Sequence, residues 1–190
     1  MTIDKLLKQK KVPDKKVSEQ KKTNYQESLQ PLSLHDLYKD MLLGYEYGLR
    51  WDPKKLDIIT VTRDDLTVII DELSCHQSSI GFEFFTGSFI SDVMMHLLMK
   101  GELEKYITIT LPKAVHRMGA GIHTITLEIK GDCGYNCAQN AKNAMFIVHG
   151  DVTTIGRNEN CTFYIYGDVK SHKYYNSNVY LYRNNGWTHL

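Results

Sequence analysis

Long apolar runs are missing from this chain, none approaching the ~20 residues that a membrane-spanning helix needs. The first residues also lack the apolar stretch and small-residue cleavage site of a secretory signal, so the expected location is the cytoplasm, with no membrane partner. Glycine clusters never lead into Gly-Lys-Ser or Gly-Lys-Thr, and Gly119-Ala120-Gly121 precedes a strand-like run instead of opening a helix. That context removes the phosphate-cradling loops of nucleotide and dinucleotide sites, and no cofactor is expected. Cysteine is sparse at 4 residues, and Cys133 with Cys137 makes a single Cys-x3-Cys pair, with Cys161 as a candidate third member. A structural zinc site takes two ligand pairs at short spacing, and this gap is not the usual redox motif, so no metal is expected there. His116, His123, His149, His172 and His189 are scattered without ligand spacing. Asn160-Cys161-Thr162 matches a glycosylation sequon, but within a strand-like run and without a secretion signal the match is accidental. Nothing in the sequence assembles a complete catalytic constellation, and no catalytic residue is assigned.

What is present starts with an ordinary balance, 42% hydrophobic and 24% charged, and a formal net charge of +1. That balance is uneven, because residues 1–30 carry eight lysines against four acids and leave the rest of the chain net negative. With Pro13, few apolar residues, no arginine and only Tyr25 for stacking, residues 1–30 read as a disordered lysine-rich tail. Residues 31–104 read as a small α/β cap. Ser33 with Asp36, followed by Leu34, Leu37, Tyr38, Met41, Leu42 and Tyr45 at helical spacing, predicts a capped helix ending near Gly44 or Gly48. A strand is expected over Asp57 to Thr62, and a helix capped by Asp64 or Asp65 over Leu66, Ile69, Ile70 and Leu73. Ile80 to Phe85 reads as extended, and Ser88 or Ser91 opens a helix carrying Ile90, Val93, Met94, Leu97 and Leu98 up to Gly101.

The remainder, residues 105–190, repeats. Three strand-like runs end in Gly-Asp, at the nearly evenly spaced Gly131, Gly150 and Gly167. Counting back from each glycine, the second, fourth and sixth positions are Ile129, Val148 and Ile165, then Leu127, Phe146 and Phe163, then Ile125, Ala144 and Cys161. All are apolar or small, while the positions between them are mostly polar. Period-2 alternation inside a repeat of this length is the pattern of a parallel β-helix, one strand of each coil stacked on the last. Asn140, Asn158 and Asn176, with Asn143, Asn160 and Asn178, recur at one corner, either as a column of bonded amides or as turn residues that accept left-handed angles. Ile107, Ile109 and Leu111 supply an earlier coil, and Val179 and Leu181 a last one in which the period lengthens before Gly186, for a solenoid of about five coils.

Three sets of residues on this frame invite chemistry. Asp132, Asp151 and Asp168 form a column that could hold a hard cation or act as an acid/base pair, against the plainer reading of turn carboxylates bonded to backbone. Cys133 aligns with Val152 and Val169, and Cys161 with Ala144 and Val179, as small core residues. Tyr164, Tyr166, Tyr174, Tyr175, Tyr180 and Tyr182 gather half of the 12 tyrosines into one short stretch, with Trp187 close behind. Tyrosine of this density fits a surface that meets a protein or a sugar, and equally a sheet face packed by its own rings.

The strand-Gly-Asp coils Ile129-Lys130-Gly131-Asp132, Val148-His149-Gly150-Asp151 and Ile165-Tyr166-Gly167-Asp168, preceded by Gly119-Ala120-Gly121, resemble the glycine-repeat right-handed β-helix at the C-terminal end of the glutamate synthase large subunit. A similar domain occurs in one subunit of formylmethanofuran dehydrogenase. The resemblance covers roughly residues 105–190; glycines are sparser here in the second and third coils, with asparagine at several corners. It implies an architectural part that holds neighbouring domains or subunits and carries no catalytic residues. The expected function is therefore a scaffold or assembly module with a protein partner or a second copy of itself. The alternatives are an enzyme, on carbohydrate above all, that uses the stacked face, and a nucleic-acid-associated protein that acts through the lysine tail. The last coil, Val179 to Tyr182, ends on an open edge that residues 184–190 or another chain must cover, a two-fold dimer being the simplest closure.

Overall fold

The computed structural model describes residues 33–46, 51–73, 80–172 and 177–190; the lysine-rich tail and Tyr174, Tyr175 and Asn176 lie outside them. Its centre is a parallel β-solenoid. Strands β1 (Tyr106–Thr110), β2 (Thr126–Lys130), β3 (Met145–Val148), β5 (Cys161–Ile165) and β7 (Ser177–Arg183) stack in one parallel sheet, joined by about four turns of chain. A second sheet pairs β4 (Val152–Ile155) with β6 (Val169–His172), and β8 (Gly186–His189) folds back antiparallel on β7.

The register follows the glycine alignment. Leu127 faces Phe146, Phe146 faces Phe163 and Phe163 faces Val179, all four at most 1% exposed. The rings of Phe146 and Phe163 stack at 4.8 Å and 9°. Cys133 bridges Val152 on the second side of the coil and is buried, as are Cys161 and Ala144 at the entrance to their strands. In the last coil the alignment shifts: Cys161 faces Ser177, not Val179, and Asn178 faces Thr162, not Asn160. Tyr164 pairs with Tyr180, a shorter step along the chain than the one from Ile147 to Tyr164, so the final coil contracts instead of lengthening.

Two devices hold the coils at this spacing. Thr124, Asn143 and Asn160 enter the strands with φ of 57°, 49° and 52°, and Asn140 has φ of 61°, so these corner residues serve as left-handed turn residues, whereas Asn158 is buried and donates to Gly156 O at 2.9 Å. Gly150 and Gly167 sit where a Cβ would lie 2.6 and 2.5 Å from the carbonyl carbon of the glycine one coil below. Only glycine allows the backbones to approach so closely.

Among its described residues the N-terminal cap is helical, which corrects the α/β expectation. Helix α1 (Leu34–Glu46) starts at Ser33, whose Oγ donates to Asp36 Oδ2 at 2.7 Å and accepts from the Asp36 N–H at 3.1 Å. In place of a strand over Asp57 to Thr62, a 3-10 helix (Pro53–Ile58) opens at Asp52 with proline in its first turn. Helix α2 (Arg63–Glu72) is capped by Thr62, not by Asp64 or Asp65, and Asp65 closes the capping box from inside. Helix α3 (Ile80–Met99) takes in both the segment expected to be extended and Ser88 and Ser91. It ends as Glu102 N–H bonds Leu97 O and Gly101 N–H, at φ 78°, bonds Leu98 O. Ser91 ties the cap to the solenoid, donating to Gly87 O at 2.6 Å and accepting from the Gly119 N–H at 2.8 Å. One apolar core runs from Leu34 through Phe89 and Met94 to Val179.

Candidate interaction face

In a strand the residues between the core positions point to the opposite face of the sheet. On the five stacked strands those residues form columns. One column runs Thr108, Glu128, Ile147, Tyr164 and Tyr180; its neighbour runs Thr110, Lys130, then His149, Tyr166 and Tyr182. The face is thus polar over the first coils and aromatic over the last.

The aromatic end is built ring on ring. Tyr164 stacks on Tyr180 at 5.2 Å and 14°, and His149 stacks on Tyr166 at 4.8 Å and 5°. Tyr182 meets Tyr166 tilted at 5.3 Å. Trp187, carried by the returning β8, lies edge-on against Tyr164, Tyr166 and Tyr182 at 5.1, 5.1 and 5.3 Å. His189 closes on Tyr180 in the same way at 5.0 Å. The aromatic residues expected to form an interaction surface, Tyr164, Tyr166, Tyr180, Tyr182 and Trp187, therefore share one face. Tyr166, Tyr182 and Trp187 keep 42, 36 and 41% of their area exposed.

The polar end centres on Glu128, which no sequence motif marks. Its Oε2 accepts from Tyr106 Oη at 3.0 Å and Thr108 Oγ1 at 2.9 Å, and its Oε1 lies 2.7 Å from His149 Nε2. Hydrogen bonds from His149, Thr108 and Tyr106 hold its carboxyl below the usual carboxylate range, and the same carboxylate raises the Tyr106 phenol. Glu128 and His149 are diagonal neighbours on adjacent strands, a placement visible once the register is known. Their link joins the polar columns to the ring stack through His149.

The aspartate column is structural in geometry. Asp132 Oδ1 accepts the Asp151 N–H at 2.8 Å, and Asp151 Oδ1 accepts the Asp168 N–H at 2.8 Å. Asp168 receives the Arg183 guanidinium, which also donates to Gly167 O at 3.0 Å. The carboxylates of Asp132 and Asp151 thus bond the backbone of the next coil and not their own turns. Among the described residues no group of three or more His, Cys, Asp or Glu side chains is arranged to hold a metal ion. Cys133 and Cys137 are free and buried, and the neighbouring Cys137 together with burial pushes the Cys133 thiol up, away from thiolate chemistry. Of the remaining histidines, His116 accepts from the Tyr135 N–H at 3.1 Å and His123 sits beside Thr124.

The open edge of β7 is covered by the chain itself. Asn184 and Asn185, at φ 49° and 62°, form the two-residue turn that returns β8, placing Trp187 opposite Tyr182 and His189 opposite Tyr180. Among the described residues no helix is long and apolar enough to cross a membrane. Comparison with known proteins finds no matching family model, curated protein or solved structure. The likeness to the glutamate synthase β-helix therefore rests on the repeat motifs alone.

Proposed function

We propose that this protein is a non-catalytic assembly scaffold that binds a protein partner, a second copy or another chain, through the ring stack of Tyr164, Tyr166, Tyr180, Tyr182 and Trp187. The observation that carries this reading is how the rings are turned. A sugar is held against the open face of an aromatic ring, whereas here the faces of Tyr164 and Tyr166 are spent on Tyr180 and His149. Tyr166, Tyr182 and Trp187 remain partly exposed around these stacked rings, and tyrosine and tryptophan are the side chains enriched in protein interfaces. The resemblance of the Gly-Asp coils to the glutamate synthase β-helix supports the same architectural role. An acid/base role for the aspartate column is not favoured, because Oδ1 of each carboxylate already serves the neighbouring backbone or Arg183.

The test is sedimentation of the full chain in extract of its native source, wild type beside a Tyr166→Ser, Tyr182→Ser variant whose circular dichroism is unchanged. Wild type should travel in a larger complex and the variant as a monomer. A wild-type monomer, or a complex indifferent to the double substitution, overturns the reading.

A further inference from the structure

The opposite end of the stack carries a different surface. Strand β1 is the first of the parallel sheet, and its ladder to β2 is fixed by Thr126 N–H to Lys105 O and Leu111 N–H to Lys130 O. In a parallel ladder the backbone groups of alternate residues point the same way, so those of Ile107 and Ile109 serve β2. The N–H and C=O of Tyr106, Thr108 and Thr110 point to the other side, where no strand among the described residues pairs with them. An uncovered row of this kind is a template for a further strand.

Beside this edge runs a groove of about 690 Å³ between β1, helix α2 and the turn after α3. Its lining includes Leu66 and Ile70 of α2, at 5 and 9% exposure, and Ile107 and Ile109 of β1, at 6 and 5%. Its rim holds the carboxylates of Asp71, Glu102 and Glu104 against the single cation Arg63. The edge of β1 spans roughly 16 Å at the rise of a strand, and the groove accompanies it along its length.

We infer that this groove takes an extended, lysine-bearing segment of a partner protein, added to β1 as a further strand on its free side. Backbone bonds to Tyr106, Thr108 and Thr110 supply the pairing, alternate apolar side chains lie along Leu66 and Ile70, and the lysines between them meet the exposed carboxylates of Glu102 and Glu104. The surface is separate from the ring stack, so either can fail without the other.

Amide hydrogen exchange of the full chain tests it, with two synthetic probes: a short peptide alternating lysine and valine, and its counterpart alternating glutamate and valine. The lysine peptide should slow exchange at Tyr106, Thr108 and Thr110 by about tenfold or more at saturation, and raised salt should weaken it. The glutamate peptide should leave all three unchanged. Thr110→Pro removes an N–H that β2 does not use and should abolish the protection. Glu104→Lys, at an exposed site that leaves the fold intact, should weaken the lysine peptide and admit the glutamate one. Equal binding of the two peptides, protection placed elsewhere, or three amides already slow in the peptide-free chain would each overturn the inference, the last by showing that the chain fills its own groove.

Discussion

Replacing Phe146 by alanine tests the solenoid where it is most tightly specified. The side chain is 0% exposed, stacked on Phe163, and one ring carbon lies 2.5 Å from where a Cβ on Gly119 would sit. Burying a phenylalanine removes about 150–250 Å² of apolar surface from water. At about 25 cal/mol per Å² that is roughly 4–6 kcal/mol, reduced by what alanine retains and by residual burial in the unfolded chain. The expected loss is about 3–5 kcal/mol, read from the urea midpoint at unchanged slope. Ile147, the next residue, is only half-buried on the outer face and should cost about 1 kcal/mol when cut to alanine. A one-residue slip of register would exchange the two environments, so equal or inverted losses would refute the placement of β3. A double-mutant cycle with Phe163→Ala should return a coupling of about 1 kcal/mol.

Burial pushes the Asp92 carboxyl up to about 6 despite the Trp51 indole that donates to it at 2.8 Å. A raised carboxyl stabilises the fold below about pH 4 and loses that contribution as pH rises through about 6; Asp92→Asn, which still accepts from Trp51, should flatten that window and gain about 2–3 kcal/mol at higher pH, read by denaturation across pH. Gly150→Ala would set a Cβ 2.6 Å from the Gly131 carbonyl carbon and 2.1 Å from Asp132 Oδ1, and should lower thermal stability by about 3 kcal/mol or more, whereas a loss under about 1 kcal/mol would show that the coils spread freely. Asp151→Asn keeps an oxygen for the Asp168 N–H and should stay within about 0.5 kcal/mol of wild type, while Asp151→Ala loses about 1 kcal/mol; a reversed order in urea titration would remove the ladder's role.

The solenoid was legible because glycine marks a steric event. Where an added Cβ would fall 2.6 Å or less from the backbone of the coil below, no other residue fits, so Gly131, Gly150 and Gly167 fixed the register, and the alternation around them told core from surface. The last coil was less legible: Asn178 matches Asn160 in kind, yet the strand pairs it with Thr162, because the chain takes fewer residues around that turn. Helix α3 hid for a different reason. Phe89, Ile90, Val93, Met94 and Leu97 are all fully buried between the other helices and the solenoid, and a helix apolar on most sides shows little periodicity, leaving the aromatic residues near its start to suggest a strand. The 3-10 helix did have a signal, Asp52 followed by Pro53, an N-cap with proline at the first helical position. Of the interaction face, the tyrosines and Trp187 were visible as a cluster, but Glu128 was not, since its partners Tyr106, Thr108 and His149 sit a full coil away and meet it only through the register.

The ring stack also ties the proposed binding face to the closure of the fold. Strand β8 is short and has no buried side chain of its own, so pairing alone gives it little hold on β7. Trp187 supplies the rest by reaching over β7 to Tyr164 and Tyr166 at β5, while His189 lies against Tyr180. Arg183, at the turn, anchors the same hairpin to Asp168 and Gly167 at the top of the aspartate column. The hairpin is therefore held from both sides of the last Gly-Asp corner, by aromatic edges on one face and by a guanidinium at the corner itself. A partner seated on the rings would bury Trp187 further and strengthen the seal on the stack, so binding and end-capping act in the same direction. Conversely, opening of the hairpin would take Trp187 off the face and leave the edge of β7 bare, which couples loss of the partner surface to exposure of a pairing edge.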